Sequence, residues 1–327
     1  MAAFGFGVYR TMGTLRSRAA DAPNKPTAVQ AQVDLPGTVF VAQQGVLYRL
    51  SGGRFTVVQK SNGGIWLQPT VSPDHSRLVA VLRGDQFSDL YSMDLAGQGA
   101  TRLTNNAGGR GVPRHWAFYP RFSPDGSTLF YSYDGPKAPG DFKVDFALWS
   151  MAVGASQRTA RQVSTPNDYT GGDTYPVPLA GGGLFYAKYS IGNAGPQAQL
   201  WYQARHLSAG VGLTPPGDDC QQPALSPDAT KVAMICTAGK QDPRLEVASF
   251  DGAGTLGTPS TLLAGQLAAS PAWSPDGKTI LFLAAAGPQR HFQLWTIDPG
   301  AAGATGLAKQ VTDNLDFDAT SAPAWIP

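Results

Sequence analysis

Four histidines, two cysteines and 23 acidic residues are the groups in this 327-residue chain that could move protons or hold a metal. His75, His115, His206 and His291 stand far apart, with no second ligand at metal spacing. A nucleophile elbow of the Gly-x-Ser-x-Gly kind does not occur. The glycine clusters Gly108-Gly109, Gly171-Gly172 and Gly181-Gly182-Gly183 lack the lysine and hydroxyl that complete a phosphate loop, so they read as hinges or turns. No residue is therefore assigned a catalytic role, and the chain reads more readily as a binding protein than as an enzyme. Its densest set of recognition-type side chains is Arg110, Arg114, His115, Trp116 and Tyr119, followed by Asp141, Lys143, Asp145, Asp168, Tyr169, Asp173 and Tyr175. Trp, Tyr and Arg dominate interaction hot spots. Two readings stand. Either Arg110, Arg114, His115, Trp116, Tyr119, Asp173 and Tyr175 contact a partner, or Trp116 and Tyr119 pack a loop onto the sheet and the charges are solvated.

Cys220 and Cys236 lie eight residues to either side of Asp228, the centre of a turn signal. That spacing makes them cross-strand neighbours in one hairpin, within reach of a disulfide. The other reading is a pair of buried thiols acting as small apolar groups. A disulfide would imply an oxidising compartment.

The elements that position these residues follow from a repeat. Pro69, Pro120, Pro176, Pro223, Pro271 and Pro323 recur at intervals of 51, 56, 47, 48 and 52 residues. Four of them precede a tetrad: Ser72-Pro73-Asp74-His75, Ser123-Pro124-Asp125-Gly126, Ser226-Pro227-Asp228-Ala229 and Ser274-Pro275-Asp276-Gly277. Proline presets φ at the second turn position, aspartate bonds the backbone ahead of it, and glycine accepts positive φ. Each aspartate is thus assigned to turn geometry. Apolar, β-branched runs follow the tetrads, such as Ser127 to Tyr133 and Lys278 to Leu283. Leucine with an aromatic comes next (Leu47-Tyr48, Leu90-Tyr91, Leu148-Trp149, Leu200-Trp201 and Leu294-Trp295), with Leu245-Glu246 in the fifth place. Each unit ends in a short strand, as in Thr101–Thr104 or Lys309–Thr312. Four strands per unit predict an all-β, six-bladed β-propeller over residues 37–327. The first unit, from Gly37 to Lys60, lacks a proline-led strand, and Ser321 to Pro327 is such a strand with nothing after it. The C-terminal strand is therefore expected to join the N-terminal blade and close the ring.

The pattern Pro-x-Trp/Phe-Ser-Pro-Asp-Gly, apolar strand, Leu-Trp/Tyr, Leu/Val-Thr resembles the TolB-type, WD-like propeller repeat over residues 37–327. The fourth unit departs from it with Ala180-Gly181-Gly182-Gly183, and the second and fifth lose the tetrad glycine. The domain that the family's namesake carries ahead of its propeller has no counterpart in residues 1–36. The resemblance implies the fold and an extracytoplasmic setting, periplasmic or at the cell surface; it supplies no catalytic residue that matches. Nor do residues after the last blade provide the hydrolase domain of the related prolyl-oligopeptidase propellers.

With 25 basic and 23 acidic residues, the net charge of +2 gives no field for nucleic acid. Ala2 to Tyr9 is apolar, and Arg10, Arg16, Arg18 and a Pro/Ala/Gln-rich linker follow. Eight apolar residues cannot span a bilayer, and in a signal peptide the basic residues lead. Residues 1–36 read either as a disordered tail or as the stub of a membrane anchor whose upstream part lies outside the chain. A monomer is expected.

Strand order places blade-to-blade connections and second-to-third-strand loops on one face, and the tetrads on the other. The long loops gather on blades 3 and 4: Asn105 to Tyr119, Asp134 to Phe146, Thr165 to Tyr175 and Ser190 to Gln197. Insertions in repeat proteins mark the binding face. Residues preceding the prolines (Gln68, Tyr119, Tyr175, Gln222, Ser270 and Ala322) are expected to line the mouth of the central channel. No cofactor is expected, unless Asp173, Asp219, Asp316 and Asp318 near that mouth bind a cation such as calcium. The leading expectation is a non-enzymatic interaction module for a protein or cell-envelope component. The alternative is a small-ligand or cation binder, or a hydrolase, in which Tyr119, Asp173, Tyr175 and His115 converge at the channel mouth.

Overall fold

Each Ser-Pro-Asp tetrad folds into a turn held by its own side chains. Ser123 Oγ donates to Asp125 Oδ1 (2.5 Å), Ser127 N–H donates to the same oxygen (3.0 Å), and Thr128 N–H donates to Ser123 Oγ (2.9 Å). The other three turns repeat this pattern. The fourth tetrad position is left-handed throughout: φ is 72° at Gly126 and 69° at Gly277, but also 57° at His75 and 58° at Ala229. Serine hydroxyls hold the Asp74 and Asp228 carboxyls down at about 2, below the usual carboxylate range, which accords with a turn role.

A computed structural model describes residues 23–27, 31–61, 63–109, 112–137, 144–193, 195–239, 241–300 and 307–327. Blade 1 begins with β1 (Thr38–Gln43), β2 (Val46–Ser51) and β3 (Arg54–Gln59). Blade 2 comprises β4 (Ile65–Val71), β5 (Leu78–Arg83), β6 (Ser88–Met93) and β7 (Thr101–Arg102). Blade 3 is β8 (Ala117–Phe122), β9 (Thr128–Tyr133), β10 (Ala147–Ala152) and β11 (Arg161–Gln162). Blade 4 is β12 (Asp173–Pro178), β13 (Leu184–Gly192), β14 (Gly195–Gln203) and β15 (Val211–Gly212). Blade 5 is β16 (Cys220–Leu225), β17 (Lys231–Cys236), β18 (Arg244–Ser249) and β19 (Ser260–Leu263). Blade 6 is β20 (Ala268–Trp273), β21 (Ile280–Ala286), β22 (His291–Ile297) and β23 (Lys309–Gln310), and β24 (Ala324–Ile326) returns to β1. All six sheets are four-stranded and antiparallel. Thr38 faces Ile326 and Phe40 faces Ala324, so the ring closes as expected.

The core is divided among the six seams between blades. Separate apolar clusters join blades 1 and 2 (Phe40, Leu78), 2 and 3 (Leu67, Tyr131), 3 and 4 (Leu148, Leu184), 4 and 5 (Phe185, Met234), 5 and 6 (Ile235, Phe282), and 6 and 1 (Leu283, Val41). Within four blades the repeated leucine is clamped at its N–H by the hydroxyl that ends the unit. Leu90, Leu148, Leu200 and Leu294 donate to Thr104, Ser164, Thr214 and Thr312 at 2.9, 2.9, 3.1 and 2.9 Å. The Leu/Val-Thr ends of the repeat are these clamps.

Two local expectations change. Ser190 to Gln197 belongs mostly to a long hairpin, because β13 and β14 stay paired out to Gly192 opposite Gly195. Part of the expected linker is packed: Gln32 N–H donates to Val311 O (2.7 Å), and Leu35 is buried against blades 6 and 1. The apolar stretch Ala2 to Tyr9, and the anchor it was read to represent, lie outside the described residues. Among the described residues no helix is long and apolar enough to cross a membrane.

Candidate functional site

Proline has no N–H to give the strand ladder, and five of the six repeat prolines interrupt pairing in the innermost strand of their blade. Register slips by one residue between Leu67 and Thr70, Phe118 and Arg121, Thr174 and Val177, Gln221 and Ala224, and Ala269 and Ala272. At each bulge the residue before proline is left-handed: φ is 53° at Gln68, 56° at Tyr119, and 54° at Tyr175, Gln222 and Ser270. A bulge re-aims its side chain, and here the re-aimed groups meet around the propeller axis.

They form a circuit. Ser321 Oγ accepts Gln68 N–H (2.6 Å), and Gln68 Oε1 accepts Tyr119 N–H (2.7 Å). The Tyr119 and Tyr175 rings lie 4.0 Å apart. Gln222 Nε2 donates to Tyr175 Oη (3.4 Å), and Gln222 Oε1 accepts Ser270 N–H (2.6 Å). Ser270 Oγ donates to Ala319 O (2.8 Å), returning to the residues before β24. The pre-proline residues were expected at the mouth. Gln68, Gln222 and Ser270 are buried and Tyr119 and Tyr175 half-buried where they pack together.

The side chains proposed to converge there do not. His115 Nδ1 lies 3.3 Å from Asp134 Oδ1, and its ring packs on Tyr133 at 5.4 Å. Asp134 also ion-pairs with Lys137 and accepts Trp116 N–H (3.0 Å). Asp173 is 0 % exposed and faces Lys188 Nζ at 3.2 Å. Burial pushes the Asp173 carboxyl up, against the pull of Lys188. Only Tyr119 and Tyr175 meet. Among the described residues no group of three or more His, Cys, Asp or Glu side chains is gathered to hold a metal.

The loop face of blades 3 and 4 is built around a different carboxylate. Asp145 accepts the N–H groups of Tyr169 (2.8 Å), Thr170 (2.9 Å) and Gly171 (3.0 Å). Gly172, with φ 87°, then passes so close to Phe146 that an added Cβ would lie 2.1 Å from its carbonyl oxygen. Asn167 Nδ2 ties the same loop to Tyr189 O (2.9 Å) on β13. The loop is thus fixed at both ends while Tyr169 stays 79 % exposed, and Ile191, near the end of β13, is 59 % exposed. Arg114 is exposed and donates to Gln86 Oε1, whereas Trp116 is half-buried and stacks on Phe118 with centroids 5.8 Å apart. Arg110, Asp141 and Lys143 lie outside the described residues. Tyr169 had been read as one of many loop residues, and only the Asp145 bonds single it out.

Cys220 and Cys236 face each other in register and are joined by a disulfide, both residues buried.

No protein-family model matches the chain, and no curated protein matches it by sequence. Solved structures do. TolB from Acinetobacter baumannii matches at 17 % identity and TM-score 0.68, covering 91 % of this chain and 68 % of that one. The putative TolB from Agrobacterium tumefaciens matches at 13 % identity and TM-score 0.59, covering 89 % and 98 %. A chain of the nidogen/laminin complex matches at 10 % identity and TM-score 0.62, covering 88 % and 97 %. At these identities the likeness is one of fold: the chain is a six-bladed propeller structurally similar to TolB.

Proposed function

We propose that the chain is a non-enzymatic interaction module working outside the cytoplasm, taking a protein or cell-envelope component on the loop face of blades 3 and 4. The observation that carries this reading is Tyr169, an exposed aromatic on a loop already fixed by three bonds to Asp145. An anchor held in place before binding loses little conformational entropy on docking. Ile191 adds an apolar projection nearby, and Arg114 adds a cation on the same face, with His115 and Trp116 beneath it. The buried disulfide favours an oxidising compartment. Solved relatives of the fold include a chain from a nidogen/laminin complex, in keeping with a propeller that binds protein.

The test is capture from an envelope extract with the wild-type chain and the Arg114→Ala/Tyr169→Ala variant, both checked for folding by circular dichroism. A partner retained by the first and lost by the second is expected. Equal retention by a folded variant would refute the assignment.

A further inference from the structure

Next to the ring of bulges, on the tetrad side, lies a cavity of about 400 Å³. That is the size range of small-molecule sites. Its walls are mostly apolar, with Val177, Leu179, Ala224, Ala272 and several of the repeat prolines facing in. One charged side chain lines it, Arg121 on β8. Arg121 Nη1 reaches only the carbonyl of its own neighbour, Pro120, at 3.4 Å. Among the described residues no carboxylate lies within ion-pair distance of it. Burial lowers its guanidinium below the ordinary value, opposed by the Tyr175 hydroxyl. The tetrad aspartates near the rim do not serve as its counter-ion, since Asp125 and Asp228 are bonded within their own turns. Arg121 is half-buried in the cavity wall without a charged partner, and guanidinium suits a carboxylate in two-point geometry.

We infer that this funnel is a binding site for a small carboxylate with an apolar body, its acid group on Arg121 and its body against the alanine and proline walls. The site lies on the face opposite the loops of blades 3 and 4, so it is independent of the partner surface proposed above.

Titration calorimetry of the full chain with 3-phenylpropionate and with its neutral amide, 3-phenylpropionamide, tests this. The acid is expected to bind at least about tenfold more tightly than the amide. Arg121→Met is expected to weaken acid binding by a similar factor while leaving the amide unchanged. Ala272→Leu, which narrows the funnel without touching Arg121, is expected to weaken both. A further readout is the thermal midpoint without ligand, which should rise in Arg121→Met because an uncompensated charge is gone. Should that variant fail to fold, the acid-to-amide ratio and Ala272→Leu still decide. Equal binding of acid and amide, acid binding unmoved by Ala272→Leu, or no binding of the acid below about 10 mM would overturn the site.

Discussion

Gln222 of blade 5 accepts the backbone N–H of Ser270 in blade 6 at 2.6 Å, just as Gln68 of blade 2 accepts that of Tyr119 in blade 3 at 2.7 Å. A backbone N–H can only donate, so each contact fixes which end of the amide is oxygen. The freed amide nitrogens then turn to Tyr175 Oη and Thr320 O. Blade-to-blade contact near the axis is thus polar and directional, whereas the seams farther out are apolar.

Gln222→Leu would leave the Ser270 N–H buried without an acceptor. The expected loss is about 1–3 kcal/mol, read as a lower midpoint in urea unfolding. Gln68→Leu should cost a similar amount through the N–H of Tyr119, and a variant as stable as wild type would show the circuit to be dispensable.

The disulfide closes a loop of 16 residues. On chain-entropy grounds its loss should cost about 3 kcal/mol. Unfolding of the wild type with and without a reductant, beside the Cys220→Ala/Cys236→Ala variant, measures this. Reduced wild type and the double variant should shift together.

His75 and Ala229 hold a left-handed conformation that two other tetrads give to glycine. Ala229→Gly should stabilise the chain by about 0.5–1 kcal/mol, the relief of strain exceeding the added freedom of the unfolded chain. Gly277→Ala should destabilise by a comparable amount, and thermal unfolding of the pair checks both signs.

Acid should weaken the turns. The Asp74 and Asp228 carboxyls titrate at about 2 in the folded chain, down from 3.8. A depressed folded value contributes stability that is present above pH 4 and is lost as the pH falls through about 2. The buried Asp89 and Asp173 are raised instead, so protonating them favours the folded state over the unfolded one and works in the opposite direction. Asp74→Asn/Asp228→Asn should therefore lose less thermal stability than wild type between pH 4 and pH 2.5. Parallel losses would show that the serine bonds do not control the acid response.

The blades, the closure and the cross-strand cysteines were legible because each rests on local chemistry. Ser-Pro-Asp-Gly can form few other turns, the prolines count the units, and Cys220 and Cys236 are equidistant from a turn centre. The axis was not legible. A residue before proline ordinarily prefers extended backbone, and Gln68, Tyr119 and Tyr175 are not types that advertise positive φ. Nothing local shows that their side chains meet across a ring. His115 and Asp173 looked like partners because both are polar and each lies near the start of an innermost strand, β8 and β12. In the fold each is taken by a nearer side chain, Asp134 and Lys188. Gly192, Gly195 and Pro196 read as a loop, yet they extend a hairpin.

The three-residue pairing of β24 with β1 has a consequence during synthesis. Trp325 Nε1 donates to Pro36 O across 289 residues of chain (2.8 Å), so this contact can form only after all six blades have been made. Until then β1 carries an open edge able to recruit a strand from a neighbouring nascent chain. Long-range closure of this kind makes for slow folding. Docking of β24 turns an adhesive arc of blades into a sealed ring.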